Sequence, residues 1–178
     1  KGAHGWTRYL LGSNAVSVLH SVDVPVLVIP ETCLWNGRSK EPMKWMLAVD
    51  PSDTSYELAI AWLQRLAGHL NSQISPGYVV DDTERSVEVE YFLQWASVHF
   101  PNQDPLMVVS ENPGTGINDL MLQSKADGLM MIARDKGWLR DLLRKHTTDE
   151  MVFMGRYPVL VVPERLDISE NLSVVHTD

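Results

Sequence analysis

Val24-Pro25-Val26-Leu27-Val28-Ile29-Pro30 is a short apolar run framed by two prolines, and the sequence repeats it as Tyr157-Pro158-Val159-Leu160-Val161-Val162-Pro163. Each copy is followed by a glutamate, Glu31 or Glu164. An unbroken β-branched run without polar alternation suits a strand buried on both faces, as in a parallel sheet. Proline is tolerated at the first position of a strand and just past its last, where no ladder donor is needed. The two copies are offset by 133 residues, Pro25 to Pro158, a domain-sized period rather than that of a solenoid.

Working outward from the second copy, residues 44–164 alternate strand and helix patterns. Strands are predicted at Lys44–Asp50, Ile74–Val80, Leu106–Val109, Leu129–Ala133 and Val159–Val162. Helices are predicted at Tyr56–Leu70, Glu84–Phe100, Ile117–Ser124 and Trp138–Met154. The first helix places Leu58, Ala59, Trp62, Leu63, Leu66 and Leu70 on its apolar side. Pro76-Gly77 is expected to loosen the second strand, and Pro113-Gly114 to precede the third helix as a break. Strands alternating with helices through short loops predict an α/β fold: a doubly wound, five-stranded parallel sheet. Ligands of such sheets bind beyond the carboxyl ends of the strands, where the strand order reverses.

Residues 1–31 read as loop, helix (Ala15–Ser21) and strand, matching the end of the same alternation. Residues 32–43 have turn chemistry and no period, and read as a linker; residues 165–178 read as a polar tail. The expected organisation is therefore the last helix and strand of one domain, a linker, and a complete second copy, with the earlier strands of the first copy lying ahead of Lys1.

Composition narrows the functions. The chain has 178 residues, 44% hydrophobic and 21% charged, with a net charge of −8. That balance supplies no broad basic field for nucleic acid or an anionic membrane. No run approaches the roughly 20 apolar residues of a membrane span. Cys33 is the single cysteine, so no internal disulfide forms, which fits a reducing cytoplasm. No CxxC or close histidine pair points to a metal site. Ser13, with His4 and His20 near it in sequence, has no acidic residue at triad spacing, and no catalytic residue is assigned. His69 and His99 read as packing or surface residues of helices, and the methionines 121, 130, 131, 151 and 154 as core filling.

The order strand-Asp, helix, strand, helix, strand, helix, strand, loop, helix and Pro-Val-Leu-Val-Val-Pro resembles the universal stress protein family. The family's Gly-x2-Gly-x9-Gly-Ser/Thr motif is matched in its last part by Gly2, nine intervening residues and Gly12-Ser13-Asn14. The resemblance implies adenine-nucleotide binding, with ATP as ligand, in the intact first domain. There Gly2, Gly12, Ser13 and Asn14 would present backbone N–H groups and a hydroxyl to phosphate. In the second copy, Asp50 matches the family's base-side aspartate and Val80 its second strand end. The phosphate loop of that copy does not match: alignment places Ile132, Asp135 and Lys145 at the glycines and His146 at the serine. The second site is therefore expected to be degenerate, its loop basic from Arg134 to His146.

Family members also pair through their last strands. The resemblance implies a homodimer or an intramolecular pseudo-dimer, with Val26, Val28, Val159 and Val161 at the contact. The function expected is stress response by dimerisation and signalling rather than catalysis. Two other readings stay open: a nucleotide-hydrolysing or nucleotide-transferring enzyme of the same α/β class, and an interaction domain with no small ligand.

Overall fold

A computed structural model describes residues 24–30, 33, 42–50, 56–81, 85–133, 156–164 and 166. Their elements run β1 (Val26–Val28), β2 (Lys44–Ala48), α1 (Glu57–His69), β3 (Gln73–Val80), α2 (Arg85–His99), β4 (Leu106–Val109), α3 (Pro113–Ser124), β5 (Gly128–Ala133) and β6 (Val159–Pro163). One six-stranded sheet has the order β1-β6-β5-β2-β3-β4. Strands β2 to β6 are parallel, and β1 runs antiparallel beside β6. The α/β fold and the parallel strands β2 to β6 are those read from the apolar runs, while the sheet has six strands rather than five because β1 joins it antiparallel at the edge. The predicted helices Ala15–Ser21 and Trp138–Met154, the stretch from Gly2 to Asn14 and the tail lie outside the described residues.

Alternation along each strand feeds two cores. Trp45 and Leu47 of β2 and Val49 just past it, with Tyr78 and Val80 of β3, pack under α1 and α2. Met46, Leu129, Met131, Val159 and Val161 pack with Ile117, Leu120 and Met121 of α3 on the opposite face. Both faces are covered, which is why these strands read as continuous apolar runs. Met46, Leu47, Leu129, Met130 and Met131 are fully buried, each contributing about 1.5–3 kcal/mol by leaving water.

Three local readings are corrected. The α1 face that is buried carries Ala59, Ile60, Leu63 and Ala67, whereas Leu58 and Leu70 are 54% and 56% exposed. Leu58 lies about 200° round the helix from Ile60 at 3.6 residues per turn, and Leu70 is the C-cap, where the chain turns away. Helix α3 begins at Pro113, not at Ile117. Asn112 caps it by accepting a hydrogen bond from Thr115 N at 3.1 Å, and proline fits the first helical position because its missing N–H would have no partner there.

Pro76 and Gly77 do not loosen β3; they lie within it, paired with Leu47 and Ala48 of β2. Gln73 donates to Met43 and Gly77 accepts from Val49, so odd-numbered residues of β3 bond towards β2. Pro76 therefore turns towards the β4 side, ahead of the first β3–β4 pair at Gly77, where no donor is required. Gly77 and Gly116 let α3 lie close on the sheet. A Cβ on Gly77 would overlap Met46 Sδ, and one on Gly116 would overlap Val79.

Register gives β1 a special relation to β6. Leu27 is opposite Leu160, Val26 opposite Val161 and Val28 opposite Val159. Leu27 and Leu160 differ by the same 133 residues that separate the two proline-framed runs. Equivalent leucines thus face each other, with the valines crossed on either side, as about a local twofold axis.

Candidate functional site

The carboxyl ends of β2, β3, β4 and β5 surround a cleft of about 330 Å³. Chain order reverses here: β3 and β4 extend from one side of β2, and β5 lies on the other. Ladder bonds fix the strand ends that form its mouth. Val49 donates to Gly77 O at 3.0 Å, which sets the exit to Asp50. Ser110 donates to Val80 O at 3.0 Å, which sets the exit from β4 to Glu111. Beneath the mouth the walls are apolar, with Ala48, Val79, Ile117, Met131 and Ile132 lining them.

Tyr56 and Tyr78 also line the cleft, and both are buried. Tyr78 Oη donates to Glu88 Oε2 at 2.6 Å. That bond ties the first turns of α2 to β3 and places a half-buried carboxylate at the cleft. Asp50, Asp81 and Glu111 are exposed at the rim. Among the described residues four carboxylates therefore line the cleft, and no Lys, Arg or His does so. They are spread around it rather than gathered: among the described residues no three of His, Cys, Asp and Glu are grouped to hold a metal ion.

Few donors remain on the β4 side. Ser110 Oγ donates to Asn112 O at 2.8 Å and accepts from Asn112 N at 3.2 Å. At the start of α3, Pro113 has no N–H, Thr115 N is taken by the Asn112 side chain and Gly116 N by Asn112 O. Only Gly114 N of that first turn stays uncommitted by these bonds, so this helix start is poorly furnished for an anion.

Of the residues singled out in the sequence, Asp50 lines the cleft. Val80 is 2% exposed and packs in the core under α1 and α2, while its neighbour Val79 lines the cleft. Ile132, aligned with the first motif glycine, is a buried β5 residue at the cleft wall. Gly2, Gly12, Ser13, Asn14, Asp135, Lys145 and His146 lie outside the described residues. Val26, Val28, Val159 and Val161 come together in the β1–β6 ladder, at the far edge of the sheet from β4. Sequence reasoning missed Tyr56, Tyr78, Glu88, Ser110 and Glu111. Their signal was position: Ser110-Glu111 directly follows a predicted strand, and Tyr56 and Glu88 lie in or beside the first turn of predicted helices.

Parallel strands with helices on both faces and a cleft at the switch point define the doubly wound α/β class. Within that class, residues 43–163 match the universal stress protein family, and the chain belongs to that family. Its fold is similar to a Pseudomonas aeruginosa protein described as functionally unknown, at a TM-score of 0.62 and 14% identity over 92% of this chain and 60% of that one. It is likewise similar to a universal stress protein from Archaeoglobus fulgidus, at 0.61 and 18% over 90% and 57%. The chain thus spans about 60% of the length of these solved structures. No curated protein matches the sequence significantly. Among the described residues no helix is long and apolar enough to cross a membrane.

Proposed function

We propose that this chain is a non-catalytic pairing and sensing unit of the universal stress type, combining the end of one module with the whole of a second. The β1–β6 register carries this reading. It sets Leu27 against Leu160, equivalent positions of two copies, as an isologous contact between modules would. The greater length of the similar solved structures supports a two-module protein. The cleft is the ligand site of the second module and takes a molecule of the adenine-nucleotide class, in a form weakened by the loss of the glycine loop.

Among the described residues β1 ends the sheet, and Leu27 on it and Ile29 just past it are 46% and 51% exposed. An edge strand with an apolar face invites further pairing. Light scattering on this chain over a concentration series should show self-association, reduced by Leu27→Lys. A monomer at every concentration overturns the pairing half of the reading. The ligand half is tested separately by whether any adenine nucleoside or nucleotide raises the thermal midpoint, as binding to the folded state must.

A further inference from the structure

We infer that Glu88 is the residue that reads the sugar hydroxyls of the ligand and that Tyr78 is its positioning residue; this rests on the reading of the cleft as the module's adenine-class site. The inference comes from how differently the carboxylates of the cleft are held. Asp50, Asp81 and Glu111 are exposed at the rim, and Asp50 and Asp81 have partners of their own. Glu88 is half-buried, and its Oε2 accepts from Tyr78 Oη at 2.6 Å. The Tyr78 ring is buried in turn and packs on Phe92 at a centroid distance of 5.4 Å. A buried ring thus holds this carboxylate at the cleft independently of any ligand.

A group held in this way favours affinity and selectivity, because its ordering is completed on folding and not on binding. Tyr78 takes one of the roughly four acceptor positions of a carboxylate, and the others suit donors brought by a ligand. Two neighbouring sugar hydroxyls supply such donors, and bonds to a charged acceptor are stronger than neutral ones. Position in the cleft agrees with this. Val79, Ile117 and Met131 at its wall belong to the core on the α3 side of the sheet. Tyr78, the partner of Glu88, belongs to the core on the α2 side. A ligand lying across the strand ends with its flat base on the apolar α3 side presents its sugar to the α2 side, where Glu88 is held.

Calorimetric titration of the full chain with adenosine and 2′,3′-dideoxyadenosine tests the inference. Adenosine should bind at least about tenfold tighter, the scale of hydrogen bonds to a charged group. Glu88→Ala should close most of that gap. Glu88→Gln keeps the shape of the side chain and an acceptor for Tyr78, so it serves if the alanine variant folds poorly, and it should narrow the gap by removing the charge. Tyr78→Phe keeps the ring against Phe92 and should narrow the gap as well, which a merely structural hydrogen bond would not do. Equal binding of the two ligands by the native chain, or a gap unmoved by the Glu88 substitutions, overturns the inference while leaving the cleft as an adenine-class site. A gap unmoved by Tyr78→Phe alone overturns the positioning role of Tyr78. Absence of binding by both ligands overturns the adenine-class reading itself, and the inference with it.

Discussion

Strand β3 carries a helix on each face, and the two are seated by opposite means. Towards α3 it offers Gly77 and Val79, and α3 answers with Gly116, so the side chains of Met46 and Leu120 fill the space over Gly77 and that of Val79 the space at Gly116, where any Cβ would overlap them. Towards α2 it offers Tyr78, and α2 answers with Phe92 at a ring-centroid distance of 5.4 Å. Trp95 then stacks on Phe92 at 6.2 Å and meets His99 at 5.0 Å and Phe100 at 5.8 Å. One helix is held by missing side chains and the other by the largest ones. The cleft lies where these two spacings end together, with Tyr78 and Glu88 on the aromatic side and Pro113 and Ile117 on the glycine side.

The two faces should therefore fail under opposite substitutions. The largest effect is expected on the aromatic side. Phe92 is completely buried, and Phe92→Ala should cost about 3–5 kcal/mol by loss of transfer energy plus a cavity. Urea unfolding measures it, and a cost below about 1 kcal/mol would remove the aromatic layer as the seat of α2. On the other face the damaging change is enlargement. Gly116→Val must displace Val79, whose Cγ2 is 2.8 Å from the position a Cβ would take, and overpacking of this kind costs about 1–3 kcal/mol. If Gly116→Val proved neutral by the same measurement, the contrast between the faces would collapse.

A third substitution probes the point where the aromatic side meets the cleft. Tyr78→Phe keeps the ring against Phe92 and removes the hydroxyl that donates to Glu88. The expected loss is about 0.5–1.5 kcal/mol, the net worth of one hydrogen bond.

This contrast was only partly legible in the sequence. The apolar runs at Trp45–Val49, Leu129–Ala133 and Val159–Val162 gave the strands, because residues buried on both faces leave a run with no polar interruption. The same property hid which face each residue takes. Without alternation there is no marker of parity, and nothing in the run itself tells that Val79 lines the cleft while Val80, named from the resemblance, packs in the core. Proline misled twice, at Pro76 and Pro113, because its tolerance depends on which N–H has a partner, and that is decided by neighbouring strands and by the cap at Asn112. Asp50 was found because a strand end is a sequence feature. Glu88 and Glu111 required the folded sheet to bring three separate segments to one rim.

The smallest expected effect concerns a helical glycine that has no neighbour to accommodate. Gly68 lies in the last turn of α1, exposed, and a Cβ there would meet nothing within 4 Å. Glycine near a helix end often serves as the left-handed residue that closes the helix. Here that conformation belongs to Asn71, with φ 47°, and the exit is tied by Ser72 N donating to Ala67 O at 2.9 Å. Gly68 thus carries the entropic cost of glycine in a helix without a conformational or packing return. Gly68→Ala should stabilise the protein by up to about 1 kcal/mol, raising the urea midpoint. Gly116 sits in a helix too, yet there even a methyl group meets Val79, so Gly116→Ala should move the midpoint the other way. Opposite signs from one substitution at two helical glycines isolate close approach to β3 from helix propensity, since propensity alone would raise both.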